Sequence, residues 1–147
     1  MNCYDLFDDV KYSDLNLIYV SCAVLFDKNN NILISKRKQG TDFADKWEFP
    51  GGKVESNEIP EEALIRELKE ELNIETKNSC LAPLSFASYT YDSFHVLIYF
   101  FACRVWKNYI YSNLGQELRW ISIDELYKYD MPKANDNLKS ILRDLFI

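Results

Sequence analysis

The order of strand-like and helix-like segments predicts an α/β (α+β) protein, a mixed β-sheet sandwiched between α-helices. Three observations carry this expectation: several runs rich in β-branched and aromatic residues and bounded by turn residues, an amphipathic helical segment in mid-chain, and a second one at the end. At 147 residues the chain can bury one hydrophobic core but hardly two, so one domain is expected.

Taken in order, "LNLIYVSCAVLFD" (15–27) reads as a strand, and "NNN" supplies a turn before a second strand, "ILISKR" (32–37), giving a hairpin. The polar "KQGTDFADK" leads to the extended "WEFPGGK", where Pro50 blocks helix and the paired glycines permit unusual dihedrals or close approach to a ligand. Pro60 then suits a first helical turn, with Glu61 and Glu62 at the positive end of the dipole. Periodicity carries this helix to Leu72, and Asn73 is its stop, because Asn tolerates the left-handed conformation that ends helices. "LAPLSFASYTY" and "FHVLIYFFACRVW" are two more strands, the second continuous enough to be central, and "LRWISI" is a shorter one. The closing "KANDNLKSILRDLFI" is an amphipathic helix with Leu138, Ile141, Leu142 and Leu145 on its apolar face.

A net charge of −6 disfavours extended binding to a nucleic-acid backbone, which draws affinity from many Lys and Arg contacts. An anionic substrate then needs a bridging cation or a local basic patch. Cys3, Cys22, Cys80 and Cys103 form no metal or redox spacing, and Cys22 and Cys103 lie in apolar runs as small core residues. The acidic N-terminus lacks a secretory pattern, and the longest apolar run falls short of the roughly 18 residues a membrane helix needs. A soluble, cytoplasmic protein is expected.

The mid-chain helix carries the chemistry. At about 100° per residue, Leu64, Ile65, Leu68 and Leu72 form one stripe and Glu67, Glu70 and Glu71 a patch beside it, with small Ala63 inside the patch. Like charges at these i,i+3 and i,i+4 spacings cost about a few tenths of a kcal/mol each, and Glu70 and Glu71 sit at the helix's negative end. A divalent cation removes that frustration, since hard oxygens so spaced suit Mg²⁺. For an arbitrary helix a solvated Glu-rich face is the commoner explanation, but upstream glycines, Arg66 within the patch and "EFP" before the loop favour a site.

Gly52, Glu58, Arg66, Glu67, Leu68, Glu70, Glu71 and Ile74 together resemble the Nudix box, with Asn73 where Gly is usual. The resemblance covers residues 16–147, leaving 1–15 as an N-terminal extension of unassigned role. It is nearest to the mutator (MutT-like) branch, the 8-oxo-dGTP diphosphatases, through "ILISKR", "KWEFPGGK", "GQELRW" and "YDMPKAN". It implies a Nudix fold and hydrolysis of a nucleoside triphosphate, 8-oxo-dGTP foremost, to monophosphate and pyrophosphate. The role implied is nucleotide-pool sanitation and DNA repair.

The same resemblance implies that Glu67, Glu70 and Glu71 hold Mg²⁺ (or Mn²⁺), with the carbonyl of Gly51 or Gly52 completing the shell and Glu67 assisting proton removal. Glu58 and Arg66 are expected to pair and brace loop against helix. Where related enzymes often place an acid before "GQ", this chain has Leu114, and Glu117 is the candidate replacement against an ordinary surface role. In the base pocket the likeness implies Asn135 reading a purine edge, against an alternative as a helix N-cap. It implies Arg37 as a polar contact, Phe49 as a stacking one, Tyr91 closing the pocket and Lys53 meeting a phosphate. His95 is expected to be structural.

The partner is a small-molecule nucleoside triphosphate, with no nucleic-acid polymer or membrane and either a monomer or a dimer. CTP or methylated-dCTP pyrophosphatase, diadenosine polyphosphate hydrolase and RNA 5′-pyrophosphohydrolase are the rival enzyme readings, and the rival of another class is a sensing or protein-binding module without catalysis.

Overall fold

The computed structural model describes residues 15–146, so nearly all of the expected N-terminal extension, with Cys3, lies outside the described residues. The strands form two sheets. One orders β4 (Gly51–Lys53), β1 (Asn16–Leu25), β6 (Phe94–Cys103) and β5 (Leu81–Thr90), and the other orders β3 (Trp47–Glu48), β2 (Ile32–Lys36) and β7 (Leu118–Ile121). β1 runs parallel to β6 over ten residue pairs, while the remaining neighbours are antiparallel, so the larger sheet is mixed and β6 is interior to it as expected.

The hairpin expected for β1 and β2 is corrected. The chain does reverse, with Asn30 at φ 62° and the Asp27 carboxylate accepting from the Asn29 and Asn31 amides, both at 2.8 Å. Phe26 bridges Ile32, and beyond that bridge the two strands part into different sheets. Both are buried on both faces in this region, and each makes a longer run of pairs elsewhere, β1 with β6 and β2 with β7. Non-local pairing therefore overrides the local turn signal.

Two helices cover opposite faces. α1 (Pro60–Leu72) packs Leu64, Leu68 and Leu72 against Ala23, Leu25, Leu33 and Phe101. α2 (Asp136–Phe146) packs Leu138 and Leu142 against the core built on Val24, Ile34, Ile98 and Phe100. Alternate residues of β1 thus serve different cores, as the period of two requires. The α+β sandwich expected from sequence is the one observed.

α1 starts where Pro60 permits, with Ile59 N donating to Glu62 Oε2 at 3.2 Å, and ends on Asn73 at φ 60° in the left-handed region. In α2 the expected stripe is shortened. Leu145 is 62% exposed because the last turn runs past the core, where Phe146 instead meets Phe26 with 5.0 Å between ring centroids. Cys22 and Cys103 are buried, and His95 is half-buried, bonded to Ser88 at 2.7 Å and Thr90 at 2.8 Å. Among the described residues no helix is long and apolar enough to cross a membrane.

Candidate functional site

The acidic patch is assembled where α1 crosses β4. Cys22 pairs with Gly51 and Ser21 with Gly52, which lays the glycine strand along β1 beneath the helix. Gly51 has φ +152°, and a Cβ there would lie 2.1 Å from the Ser21 carbonyl oxygen, so only glycine fits. A Cβ on Gly52 would lie 2.3 Å from Glu67 Cδ: the carboxylate of Glu67 occupies the space that a side chain would fill.

Arg66 ties the patch together. Its Nε and Nη2 donate to both oxygens of Glu58, at 3.1 and 2.6 Å, and Nη2 also donates to the Lys53 carbonyl at 3.1 Å. Loop and helix are braced by this fork, which a lysine could not reproduce. Nη1 donates to Glu67 Oε1 at 2.9 Å and weakly to Glu70 Oε2 at 3.4 Å. Glu70 itself is largely exposed.

Burial pushes the Glu71 carboxyl up to about 8, helped by the negative charges of Glu67 and Glu48 and opposed by the Gly51 amide. Burial also raises Glu67, against the pull of Arg66, whereas hydrogen bonds from Arg66 lower Glu58. As they stand, no three Asp, Glu, His or Cys side chains among the described residues are arranged to hold a metal, since Glu67 and Glu70 both lean on Arg66. The donor set nonetheless fits a hard cation. Glu71 and Glu67 are desolvated carboxylates that repel each other, and Ser21 Oγ is buried without a hydrogen-bond partner at the strand position opposite Gly52, on the same face of the sheet.

Next to the acids lies a cavity of about 350 Å³, with Gly51, Gly52 and Lys53 on its acidic side. Arg37, Glu48, Phe49, Tyr91, Phe94 and Asn135 line the rest. The Arg37 guanidinium donates to Glu48 at 2.8 Å and to the Asp42 carbonyl at 2.6 Å. Phe49 is anchored edge-on against Phe100 in the core, 5.9 Å between centroids. Tyr91 stands between Phe43 and Phe94, at 5.0 Å from each, and its hydroxyl accepts from the Ala134 amide. Asn135 is buried, and its side-chain Nδ2 donates back to the Pro132 carbonyl at 3.3 Å.

The structure thus gathers Arg37, Phe49, Gly51, Gly52, Lys53, Tyr91 and Asn135 around one cavity, with Glu67 and Glu71 at its edge. Glu117 is not among them: its carboxylate is held by Arg119 at the start of β7, and Leu114 is half-exposed. Glu48 is the residue that sequence reasoning missed. It sits on the cavity wall, its pKa raised by burial and restrained by Arg37, and its charge bears on both Glu71 and Cys22. An acid inside the apolar "WEFP" was the available signal, since a carboxylate there needs a cationic partner.

The sequence pattern of the NUDIX domain matches residues 21–140. The 8-oxo-dGTP diphosphatase of Escherichia coli (strain K12) is 31% identical over 128 residues, covering 87% of this chain and 98% of that protein. The CTP pyrophosphohydrolase of the same organism is 32% identical over 115 residues, covering 77% and 82%. A MutT structure from work on Aliivibrio salmonicida and Vibrio cholerae superposes with a TM-score of 0.74 at 29% identity, covering 88% of this chain and all of that one.

Proposed function

The chain belongs to the NUDIX domain family, and from that premise we propose that it hydrolyses 8-oxo-dGTP to 8-oxo-dGMP and pyrophosphate, cleansing the nucleotide pool in the cytoplasm. It is a Nudix hydrolase, and its substrate is a small-molecule nucleotide. The observation that carries the reading is the adjoining of two environments: desolvated carboxylates on α1, and a cavity of about 350 Å³ walled by Phe49, Tyr91 and Asn135.

Nudix hydrolases use a divalent metal ion, here proposed to be Mg²⁺ with Mn²⁺ as a substitute, held by Glu67, Glu70, Glu71 and a carbonyl of Gly51 or Gly52. When bound, it would neutralise phosphate oxygens and acidify a water. Arg66 orients the Glu67 carboxylate and burial raises its basicity, so Glu67 would serve as acceptor for a proton from the attacking water. Water oxygen adds to phosphorus and the α–β anhydride bridge breaks, leaving monophosphate and pyrophosphate. Glu58 and Arg66 keep the glycine strand pressed on the helix while this happens.

In the cavity, the Phe49 ring offers a stacking surface and Tyr91 closes the far wall, excluding water from the base. The Asn135 side chain can donate and accept at once, which suits the edge of an oxidised purine. Arg37, already neutralised by Glu48, acts as a fixed hydrogen-bond donor, and Lys53 meets the phosphates from the rim. Glu117 is left out of the ligand set because Arg119 holds it.

The test is pyrophosphate release from 8-oxo-dGTP in competition with dGTP, CTP and diadenosine tetraphosphate, with Glu70→Gln as control. A preference for 8-oxo-dGTP that the variant loses supports the reading. Preference for CTP moves the chain toward the second relative, and no turnover of any of the four removes the proposal.

A further inference from the structure

We propose that Asn73 and Asn113 form a latch fixing the backbone beneath Glu70 and Glu71, which makes both asparagines positioning residues for the proposed metal site, whose reading above this inference rests on. Asn73 stands where the family usually has glycine, and a glycine would end the helix in the same left-handed conformation. What only asparagine adds is a side-chain amide, and that amide is fully engaged. Asn73 Nδ2 donates to Asn113 Oδ1 at 2.9 Å and to the Tyr111 carbonyl at 3.2 Å. Asn113 Nδ2 returns a bond to Asn73 Oδ1 at 2.9 Å and donates to the Glu70 carbonyl at 2.6 Å.

The backbone of the same loop completes the grip. Asn113 N donates to the Glu71 carbonyl at 2.9 Å and Tyr111 N to the Leu72 carbonyl at 3.2 Å. With Ile74 N on Leu68 and Asn73 N on Lys69, each carbonyl from Leu68 to Leu72 has a donor. A helix ordinarily leaves its last carbonyls orphaned, and they carry the negative end of its dipole. Here that end bears two of the three glutamates. Donors brought from some forty residues away along the chain offset the potential and hold in place the peptide units from which Glu70 and Glu71 project.

Glu70 depends on this most, since its exposed carboxylate has only a 3.4 Å bond to Arg66 to direct it. The loop that elsewhere in the family often offers an acid before "GQ" carries Leu114 in this chain. It is pinned to the helix by the residue immediately before it, so this chain uses the loop as a clamp rather than as a source of a ligand. The bond from Gln116 N to Ser112 Oγ at 2.8 Å closes the loop on itself.

The experiment titrates Mg²⁺ into the full chain by calorimetry without nucleotide, and measures turnover against Mg²⁺, for wild type, Asn73→Gly, Asn113→Ala and the double variant. The expected result is about tenfold weaker Mg²⁺ binding in each single variant, the lower edge of what loss of a group supporting a metal ligand brings. KM for nucleotide at saturating metal should stay within about twofold, and the double variant should be no worse than the worse single one, because the two amides act as one unit. Asn73→Gly keeps the helix end, so its thermal midpoint without metal should change little and a folding defect cannot explain the loss. Wild-type Mg²⁺ binding in Asn73→Gly, or additive losses in the double variant, would overturn the latch. Absence of turnover in the wild type would instead count against the proposed function, and the calorimetric comparison would still decide the latch.

Discussion

Helices α1 and α2 cover opposite faces of the same strands, yet they treat charge in opposite ways. α2 buries Leu138 and Leu142 and leaves Asp136, Arg143 and Asp144 in solvent, where Arg143 pairs with its neighbour Asp144. α1 buries Ala63, Leu64, Leu68 and Leu72, but it also draws Glu67 and Glu71 out of water, Glu71 at the end of the helix whose dipole opposes it. An amphipathic stripe suffices to seat a helix on a core. Carboxylates held against burial, and at Glu71 against the dipole as well, serve something other than stability, and in α1 they border the cavity.

The comparison breaks most visibly at Glu71. Glu71→Gln should reduce pyrophosphate release by about a thousandfold, the order found when a charge-stabilising group is removed from a preorganised site. The same change should leave the thermal midpoint in EDTA unchanged or higher, because it replaces a desolvated carboxylate, repelled by Glu67 and Glu48, with a neutral isostere. Turnover and metal-free melting measured on the same preparation check both halves. A variant that loses stability without metal would make Glu71 an ordinary structural group.

Leu142→Ala in α2 is the complementary change. The side chain is fully buried, so its loss should cost about 2–4 kcal/mol in urea unfolding. KM and the Mg²⁺ dependence of the folded enzyme should be unaltered, since α2 carries scaffold only.

The two helices also show what the linear sequence made legible. The start and stop of α1 follow from Pro60 and Asn73, and its two stripes from periodicity, because helical contacts are local. Strands β1 and β2 were legible as strands but not in their pairing, which is decided by β6 and β7 far along the chain. The same limit hid the partnerships within the site. Glu58 and Arg66 could be paired from one motif, whereas the Glu48 partnership with Arg37 depends on how β2 and β3 register. Asn73 could be seen as a helix stop, but its bonds to Asn113 belong to a loop forty residues on. Leu145 failed for a different reason: periodicity says which face a residue shares and not how far the core extends beneath it.

The glycine strand sharpens the contrast on a smaller scale. Gly52→Ala should lower turnover by about tenfold, in the range for disturbing support of a metal ligand, because its methyl would displace the Glu67 carboxylate. The clash is with the far end of a flexible side chain, so the fold should tolerate it. Gly51→Ala meets the backbone of Ser21 and Cys22 instead, and should be expressed poorly or melt early. Circular dichroism melts run beside the activity assay separate the two variants; equal stability in both would mean that the two glycines do not divide site from scaffold.

The smallest expected effect is at Arg143. Its pair with Asp144 joins adjacent residues, both about two-thirds exposed, and exposed pairs contribute less than about 1 kcal/mol. Arg143→Ala should therefore shift unfolding by less than about 0.5 kcal/mol and leave turnover alone. Arg66 is the control for this near-null outcome, since its fork spans Glu58, Glu67 and the Lys53 carbonyl, and Arg66→Lys keeps the charge while losing that geometry. If α1 and α2 differ as their charges indicate, Arg66→Lys lowers turnover although charge is conserved, and Arg143→Ala changes almost nothing although charge is removed. Equal responses at the two arginines would mean that net charge on the helices, rather than its placement, governs the enzyme.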